Sequence, residues 1–283
     1  MTPLVTLVTP VYNAMPWLRD YLDCVAAQTW RPLEVILVDD GSSDGSDECM
    51  RQSADRLAAA GIELRLLFCP HRGQAAAMNA ALALISGEFF TWCDADDLLT
   101  PDSVEKKTLW LLDHPEAGMV RSNGTVLDAD TGTVLGESSR PEDKSDGNVF
   151  EALLTDRTYC YAGCYMVRTA LFFDCYPEKQ IPESPEGQNL QLLLPPASRM
   201  VCGYLDEKLH TYCRRSGSHS GKKRTYQEAL RRIENFSALR RAILPYCAVD
   251  QSRYEEQIEQ VEKQAKAALM QSAVRRARKD LGK

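Results

Sequence analysis

No apolar run in this chain approaches the ~20 residues that cross a bilayer, and no basic region precedes its first apolar stretch. Both absences lead us to expect no membrane span and no secretory leader, hence a cytoplasmic protein. Disulfide and zinc frameworks are missing too. The ten cysteines are scattered without a Cys-x-x-Cys pair, and Cys160-x-x-x-Cys164 has no matching His/Cys pair at finger spacing. That pattern fits reduced thiols. Excess positive charge is absent: the net charge of −7 argues against non-specific nucleic-acid binding. There is no internal repeat. Neither Gly-x-x-x-x-Gly-Lys nor Gly-x-Gly-x-x-Gly follows the first apolar run, which speaks against a P-loop NTPase or an ordinary dehydrogenase.

What is present is alternation. Apolar runs at 4–9, 33–38, 63–68, 88–93 and 118–122 read as strands, and 17–28, 47–60, 74–85 and 101–113 read as helices. Strand–helix alternation at this spacing predicts an α/β fold, a mostly parallel sheet with helices on both faces. The strands are apolar throughout rather than alternating, as burial on both faces requires. Beyond residue 123 the pattern loosens. A hairpin is expected across 126–135, strands at 163–167, 201–205 and 208–213, and a helical patch at 187–194 stopped by Pro195-Pro196. After Gly221 the chain reads as helix. At 283 residues it can hold one large domain with a C-terminal appendage. We place the main domain at 1–221, with halves 1–122 and 123–221, and a helical extension at 222–283.

The most informative stretch is Thr91-Trp92-Cys93-Asp94-Ala95-Asp96-Asp97. An apolar strand ends in three carboxylates, each of which raises the cost of ionising its neighbours. A divalent cation removes that repulsion, and oxygen ligands suit Mg²⁺ or Mn²⁺. The plain alternative is a solvated turn with a helix N-cap, since Leu98-Leu99-Thr100-Pro101-Asp102 follows. Two further segments stand at strand ends: Pro10-Val11-Tyr12-Asn13 and Asp39-Asp40-Gly41-Ser42. Parallel strands bring such ends together across a crevice, the usual ligand site of open α/β sheets. There Tyr12 suits stacking on a base, Asp39 suits accepting from a uracil imide N–H, and Asp94 with Asp96 suits a metal bridging two phosphates. Each also reads as a turn or cap residue taken singly.

In order along the chain, Val8-Thr9-Pro10-Val11-Tyr12-Asn13, Val38-Asp39-Asp40-Gly41-Ser42-Ser43-Asp44, Gly73 with Asn79, and Thr91 to Asp97 resemble the motifs of family 2 glycosyltransferases. These are inverting enzymes of the GT-A fold that use nucleotide-activated sugars. The resemblance runs from about 3 to 220. It implies a nucleoside pocket at Pro10, Tyr12, Asp39 and Asp40, with the Arg72-Gly73 loop approaching it. It also implies a diphosphate–metal site at Asp94 and Asp96, completed by His219, with Mn²⁺ or Mg²⁺ as cofactor and UDP as nucleotide. The chain has Ala77-Met78-Asn79 where the family often shows Ala-Arg-Asn.

Inversion needs a base for the acceptor hydroxyl and a counter-charge for the leaving diphosphate. The family's usual base is the Asp of a Glu-Asp pair opening a helix. The matching stretch here is Gly187-Gln188-Asn189-Leu190-Gln191, with amides in that place. Glu183 and Glu186 lie just upstream, Glu186 nearer the helix start, and Glu186 is our candidate base. Asn189 and Gln191 are candidates for hydrogen bonds to acceptor hydroxyls. The expected partners are a nucleotide-sugar donor and a saccharide, lipid-linked or protein acceptor. The amide pair keeps open a nucleotide-sugar-binding protein without transfer activity. The seam Tyr254, Ile258, Val261, Ala265, Ala268 fits either packing onto the main domain or a homodimeric coiled coil. The basic cluster at 275–279 fits a solvated helix end or peripheral contact with anionic lipid.

Overall fold

A computed structural model of the protein describes residues 2–216, 218 and 221–281, the last six by their backbone alone. The alternation expected from the sequence is present. Strand β1 (Val5–Val11) leads to α1 (Met15–Ala26), β2 (Leu33–Asp39), the short α2 (Ser46–Gln52) and α3 (Ala54–Ala59), and β3 (Ile62–Phe68). Then follow α4 (Gln74–Leu82), β4 (Phe89–Trp92), a two-residue strand β5 (Leu98–Leu99) and α5 (Ser103–Asp113). The second half holds β6 (Ala117–Asp128), β7 (Thr133–Glu137), α6 (Phe150–Leu154), β8 (Tyr165–Arg168), α7 (Thr169–Cys175), α8 (Asn189–Ala197) and β9 (Val201–Arg214). Helices α9 (Tyr226–Ile243) and α10 (Gln251–Leu281) end the chain.

One nine-stranded sheet has the order β3-β2-β1-β4-β8-β6-β9-β5, with β7 paired to β6. The first four strands are parallel, β8 is antiparallel to both its neighbours, and β6 runs parallel to β9. Every residue of β1 and β2 is buried. Their side chains alternate between two cores. Leu7, Val35 and Leu37 meet α1, α2, α3 and α5 on one face. On the other, Val8, Ile36, Val38 and Trp92 meet α4, α6, α7, α8 and α9. Along α1 the spacing i, i+3, i+4, i+7 places Leu18, Tyr21, Leu22 and Val25 in the core, as periodicity predicts. The strand order reverses between β2-β1 and β4. The carboxyl ends of β1, β2 and β4 therefore open into the crevice of a topological switch point.

Three features depart from the sequence expectation. The strands expected at 201–205 and 208–213 are one long β9, whose irregular register against β6 absorbs the break between them. Residues 122 and 123, where we divide the main domain, lie inside β6. And Pro195-Pro196 do not stop α8, which runs on to Ala197. A proline at 195 withholds the N–H that would pair with the carbonyl of Gln191. The buried Tyr176 hydroxyl donates to that carbonyl at 2.9 Å, while Leu190, Leu192, Leu193 and Leu194 hold the helix in the core. The start of the C-terminal seam packs inward: Tyr254 and Ile258 are buried, and Tyr254 meets Phe150 edge-on. Among the described residues no helix is long and apolar enough to cross a membrane.

Tyr176→Phe leaves a buried carbonyl without its donor. It is expected to cost about 1–2 kcal/mol, seen as a lower urea midpoint at unchanged slope.

Candidate active site

The β2–α2 loop shows how the crevice is built. Besides holding the start of its own helix through Asp44 and Ser46, the loop caps α1. The Ser46 hydroxyl accepts from the Ala14 amide and the Asp44 carboxylate from the Met15 amide, both at 2.9 Å. Asn13, in the left-handed region at φ 47°, accepts from the Ser43 amide at 2.9 Å. Asp40 then ties this loop to the one after β3. Its carboxylate accepts from the backbone amides of Arg72 (2.9 Å) and Gly73 (2.8 Å) and contacts His71 Nδ1 at 2.8 Å. Gly41 (φ 75°) permits the approach, since a Cβ there would stand 2.8 Å from the His71 amide nitrogen. The His71 ring in turn stacks on the half-exposed Tyr12, centroids 4.0 Å apart. Asp39, only 4% exposed, accepts from the Ser42 amide and is not among the residues lining the crevice.

The three carboxylates after β4 divide. Asp97 turns inward and is buried, accepting from the Cys213 amide at 2.8 Å and lying 3.1 Å from His210 Nε2. Burial works against charge on His210, yet the Cys164 sulfur and Asp97 hold its pKa well above the ordinary value. The pairing of β5 with His210 and Thr211 places this end of β9 beside β4, and so delivers Arg215 to Asp96. The Arg215 guanidinium pairs with the Asp96 carboxylate at 2.9 Å, donates to its carbonyl and lies 3.7 Å over the Trp17 ring. Burial and Asp97 still push Asp96 upward, with Arg215 opposing. Among the described residues no cationic side chain pairs with Asp94, and the Gln188 amide donates to its carboxylate at 3.2 Å. Burial, then Asp97 and Asp96, push its pKa up to about 7.

Two cavities meet over Asp94 and Asp96. The larger, about 1150 Å³, is lined by Pro10, Tyr12, Asp40, His71, Arg72, Gly73, Trp17 and Arg215. The smaller, about 270 Å³, is lined by Glu186, Gln188, Asn189, Gln191, Tyr161, Tyr212 and residues of α9. Most of the residues singled out from sequence thus lie at one edge of the sheet, on both sides of the acidic turn. At the opening of α8 the amide carbonyl of Asn189 accepts from the Trp92 indole N–H at 2.8 Å. That bond fixes the amide's orientation, so its N–H donors are set for the chamber. Glu186 is 6% exposed and lies 3.4 Å from both Arg232 and Asn235. Glu183, the other upstream acid, pairs across the crevice mouth with Arg72. His219 lies outside the described residues. Asp94 and Asp96 are an oxygen donor pair with excess negative charge, which fits a hard divalent cation. Among the described residues, however, no three His, Cys, Asp or Glu side chains converge on one point. Sequence reasoning missed His71, Trp17 and Arg232. His71 was findable, since Cys69-Pro70-His71 ends the one parallel strand left out of the strand-end comparison.

A model of the family described as glycosyl transferase family 2 matches residues 6–172, more than half of the chain. The chain belongs to glycosyltransferase family 2. Among curated relatives, glycosyltransferase GlyG of Streptococcus pneumoniae is 30% identical over 161 residues, 56% of this chain and 46% of that protein. An uncharacterized glycosyltransferase of Haemophilus influenzae is 34% identical over 113 residues, 40% of this chain and 44% of that one. The matched stretch is thus less than half the length of either relative. Among solved structures, S. aureus TarS 1–349 in complex with UDP-GlcNAc superposes with a TM-score of 0.64 at 16% identity, covering 94% of this chain and 71% of that one. Mannosyltransferase PcManGT from Pyrobaculum calidifontis, in complex with GDP-Man and Mn²⁺, gives 0.62 at 20% identity, covering 97% and 76%. The family 2 chain therefore has the GT-A fold with a C-terminal helical part.

The raised Asp94 pKa has a consequence for stability. The fold binds that proton more tightly than the unfolded chain, whose Asp titrates near pH ~4. This contribution is full below pH ~4 and is lost as the pH rises through about 7. In EDTA at pH 8, Asp94→Asn is expected to melt roughly 2–5 °C above wild type, with the gap narrowing by pH ~5 and closing below pH ~4. An equal gap at both extremes of pH would show that the Asp94 charge is not the cause.

Proposed function

We propose that this chain transfers a sugar from a nucleotide diphosphate donor, UDP-linked in our reading, to an acceptor hydroxyl with inversion. The observation that carries it is the junction at Asp94 and Asp96, where a nucleotide-sized crevice meets a chamber fit for one sugar ring. In this reading Tyr12, with His71 behind it, stacks on the base, and Pro10, Asp40, Arg72 and Gly73 line the nucleoside pocket. Asp39 supports the loop and stays a candidate for contact with the base edge. Arg215 faces the diphosphate from beside Asp96. The likeness to structures holding UDP-GlcNAc, or GDP-Man with Mn²⁺, supports a nucleotide-sugar donor and a divalent cation.

Asp94 and Asp96 would hold Mn²⁺ or Mg²⁺, with His219 as our candidate third ligand; the ion supplies counter-charge for the leaving diphosphate. Glu186 takes the proton of the acceptor hydroxyl as its oxygen attacks the sugar carbon. The bond from that carbon to the diphosphate oxygen breaks on the opposite side. Asn189, its carbonyl held by Trp92, donates hydrogen bonds to sugar or acceptor oxygens. The acceptor is a saccharide, a lipid-linked saccharide or a protein. Ten unpaired cysteines support a reducing cytoplasm, with peripheral membrane contact and homodimerisation through α10 as further expectations. A second reading, donor binding without transfer, rests on Gln188 and Asn189 standing where this family usually has its acid pair.

Calorimetric titration with UDP, GDP and CDP, in Mn²⁺ and in EDTA, tests the donor site. One nucleotide is expected to bind in Mn²⁺, with at least ~10-fold weaker affinity in EDTA and in Asp96→Ala. Failure of every nucleotide to bind the wild type would remove the transferase reading. Binding of a sugar nucleotide without any release of free nucleotide over hours would leave the binding-protein reading standing.

A further inference from the structure

The family match ends at residue 172, yet the small chamber is closed on its far side by α9, at 226–243. Arg232, Phe236 and Leu239 stand four and three residues apart and line the chamber from one face of that helix. Arg232 Nε lies 3.4 Å from one Glu186 carboxylate oxygen, and Asn235 donates to the other at 3.4 Å. Both contacts are long. Held from two sides, the carboxylate is oriented by α9. The Arg232 guanidinium also lies 5.2 Å from the centre of the Phe236 ring.

The helix is not a loose appendage. At its start Thr225 and Glu228 form a reciprocal capping box. Further along, the buried Arg240 donates to the Leu154 carbonyl at 2.8 Å and pairs with Asp156, while Leu239 and Ile243 enter the main core. A wall anchored in the core along its second half defines the shape of the space it closes.

We propose that α9 is the specificity wall of the donor-sugar chamber. Arg232 and Asn235 are positioning residues for Glu186, and Phe236 packs against the transferred ring. The inference rests on the glycosyl-transfer reading above. At about 270 Å³ the chamber falls just under the range of drug-sized pockets and suits a single pyranose. Its remaining polar lining includes Asp94, Asp96, Gln188, Asn189 and Gln191, with no cation besides Arg232 among the described residues. That lining selects a neutral hexose or N-acetylhexosamine and repels a uronate.

The test compares UDP with UDP-glucose, UDP-GlcNAc and UDP-glucuronate, and GDP with GDP-mannose, by calorimetry in Mn²⁺, alongside the rate of nucleotide release. Phe236→Ala is expected to leave nucleotide affinity within about twofold and to weaken the neutral sugar nucleotide about tenfold. Arg232→Gln is expected to lower kcat about tenfold or more at near-wild-type KM, with part of the loss recovered in Arg232→Lys. Phe236→Leu keeps an apolar wall if Phe236→Ala fails to fold, and is expected to weaken the same ligand to a lesser degree. A wild type that binds no nucleotide overturns the transferase reading and this inference with it. A wild type that binds, with Arg232→Gln and both Phe236 variants unchanged, overturns this inference alone. Preference for the glucuronate donor overturns the assigned sugar class.

Discussion

Repulsion among Asp94, Asp96 and Asp97 is the constraint on which the site depends. Three carboxylates within four residues cannot share one low-dielectric face as anions. The fold separates them by partner. Among the described residues, Asp97 goes inward to His210 and the Cys213 amide, Asp96 takes Arg215, and Asp94 accepts from the Gln188 amide. Because the partners of Asp97 and Asp96 lie on or just after β9, the two-residue pairing of β5 with β9 is what makes that division possible. The same pairing carries the chain's second half back over the crevice formed by its first. Asp94, with no paired cation among the described residues, sits where the two cavities join.

The first half of this fold was legible because its signals are local. Apolar strands buried on both faces, a periodic α1 and turn-forming loops each follow from a few adjacent residues, and β1 to β4 formed as expected. Tyr12, Asp40, Asp94 and Asp96 follow strands that run parallel, so their convergence on one edge is readable from the chain alone. What stayed hidden is tertiary. Leu98-Leu99 reads as a turn until β9 is beside it. Pro195-Pro196 read as a stop until Tyr176 supplies the missing hydrogen bond. Arg232 reads as a solvated helix charge until α9 is laid against Glu186.

Roles were harder to read than positions. Asp39 and Asp40 are adjacent and both acidic, which suggests one shared task. The structure gives them different ones: Asp40 holds the His71–Gly73 loop through two amides, whereas Asp39 closes its own turn on Ser42. No composition or spacing distinguishes a carboxylate that will organise backbone from one that will meet a ligand, because both satisfy the same lone pairs. Only the position of the neighbouring loop decides between them.

The amides at the opening of α8 can be understood in the same terms. A Glu-Asp pair in place of Gln188 and Asn189 would add two negative charges beside Asp94, Asp96 and Glu186, in a chamber where burial already raises Asp94. Gln188 instead donates to Asp94, and the Asn189 carbonyl accepts from the Trp92 indole, so the pair adds N–H donors and no charge where acids would add two anions. The exchange lowers the chamber's charge and removes a base in a single step. In the proposed reading the acting carboxylate comes from just upstream of the amides. Glu186 stands two residues before Gln188, where α9, beyond the family-matched region, brings Arg232 and Asn235 to it. The amides that open α8 and the cation on α9 then act together in that reading, which gives the C-terminal helix a part in the site beside the strand ends.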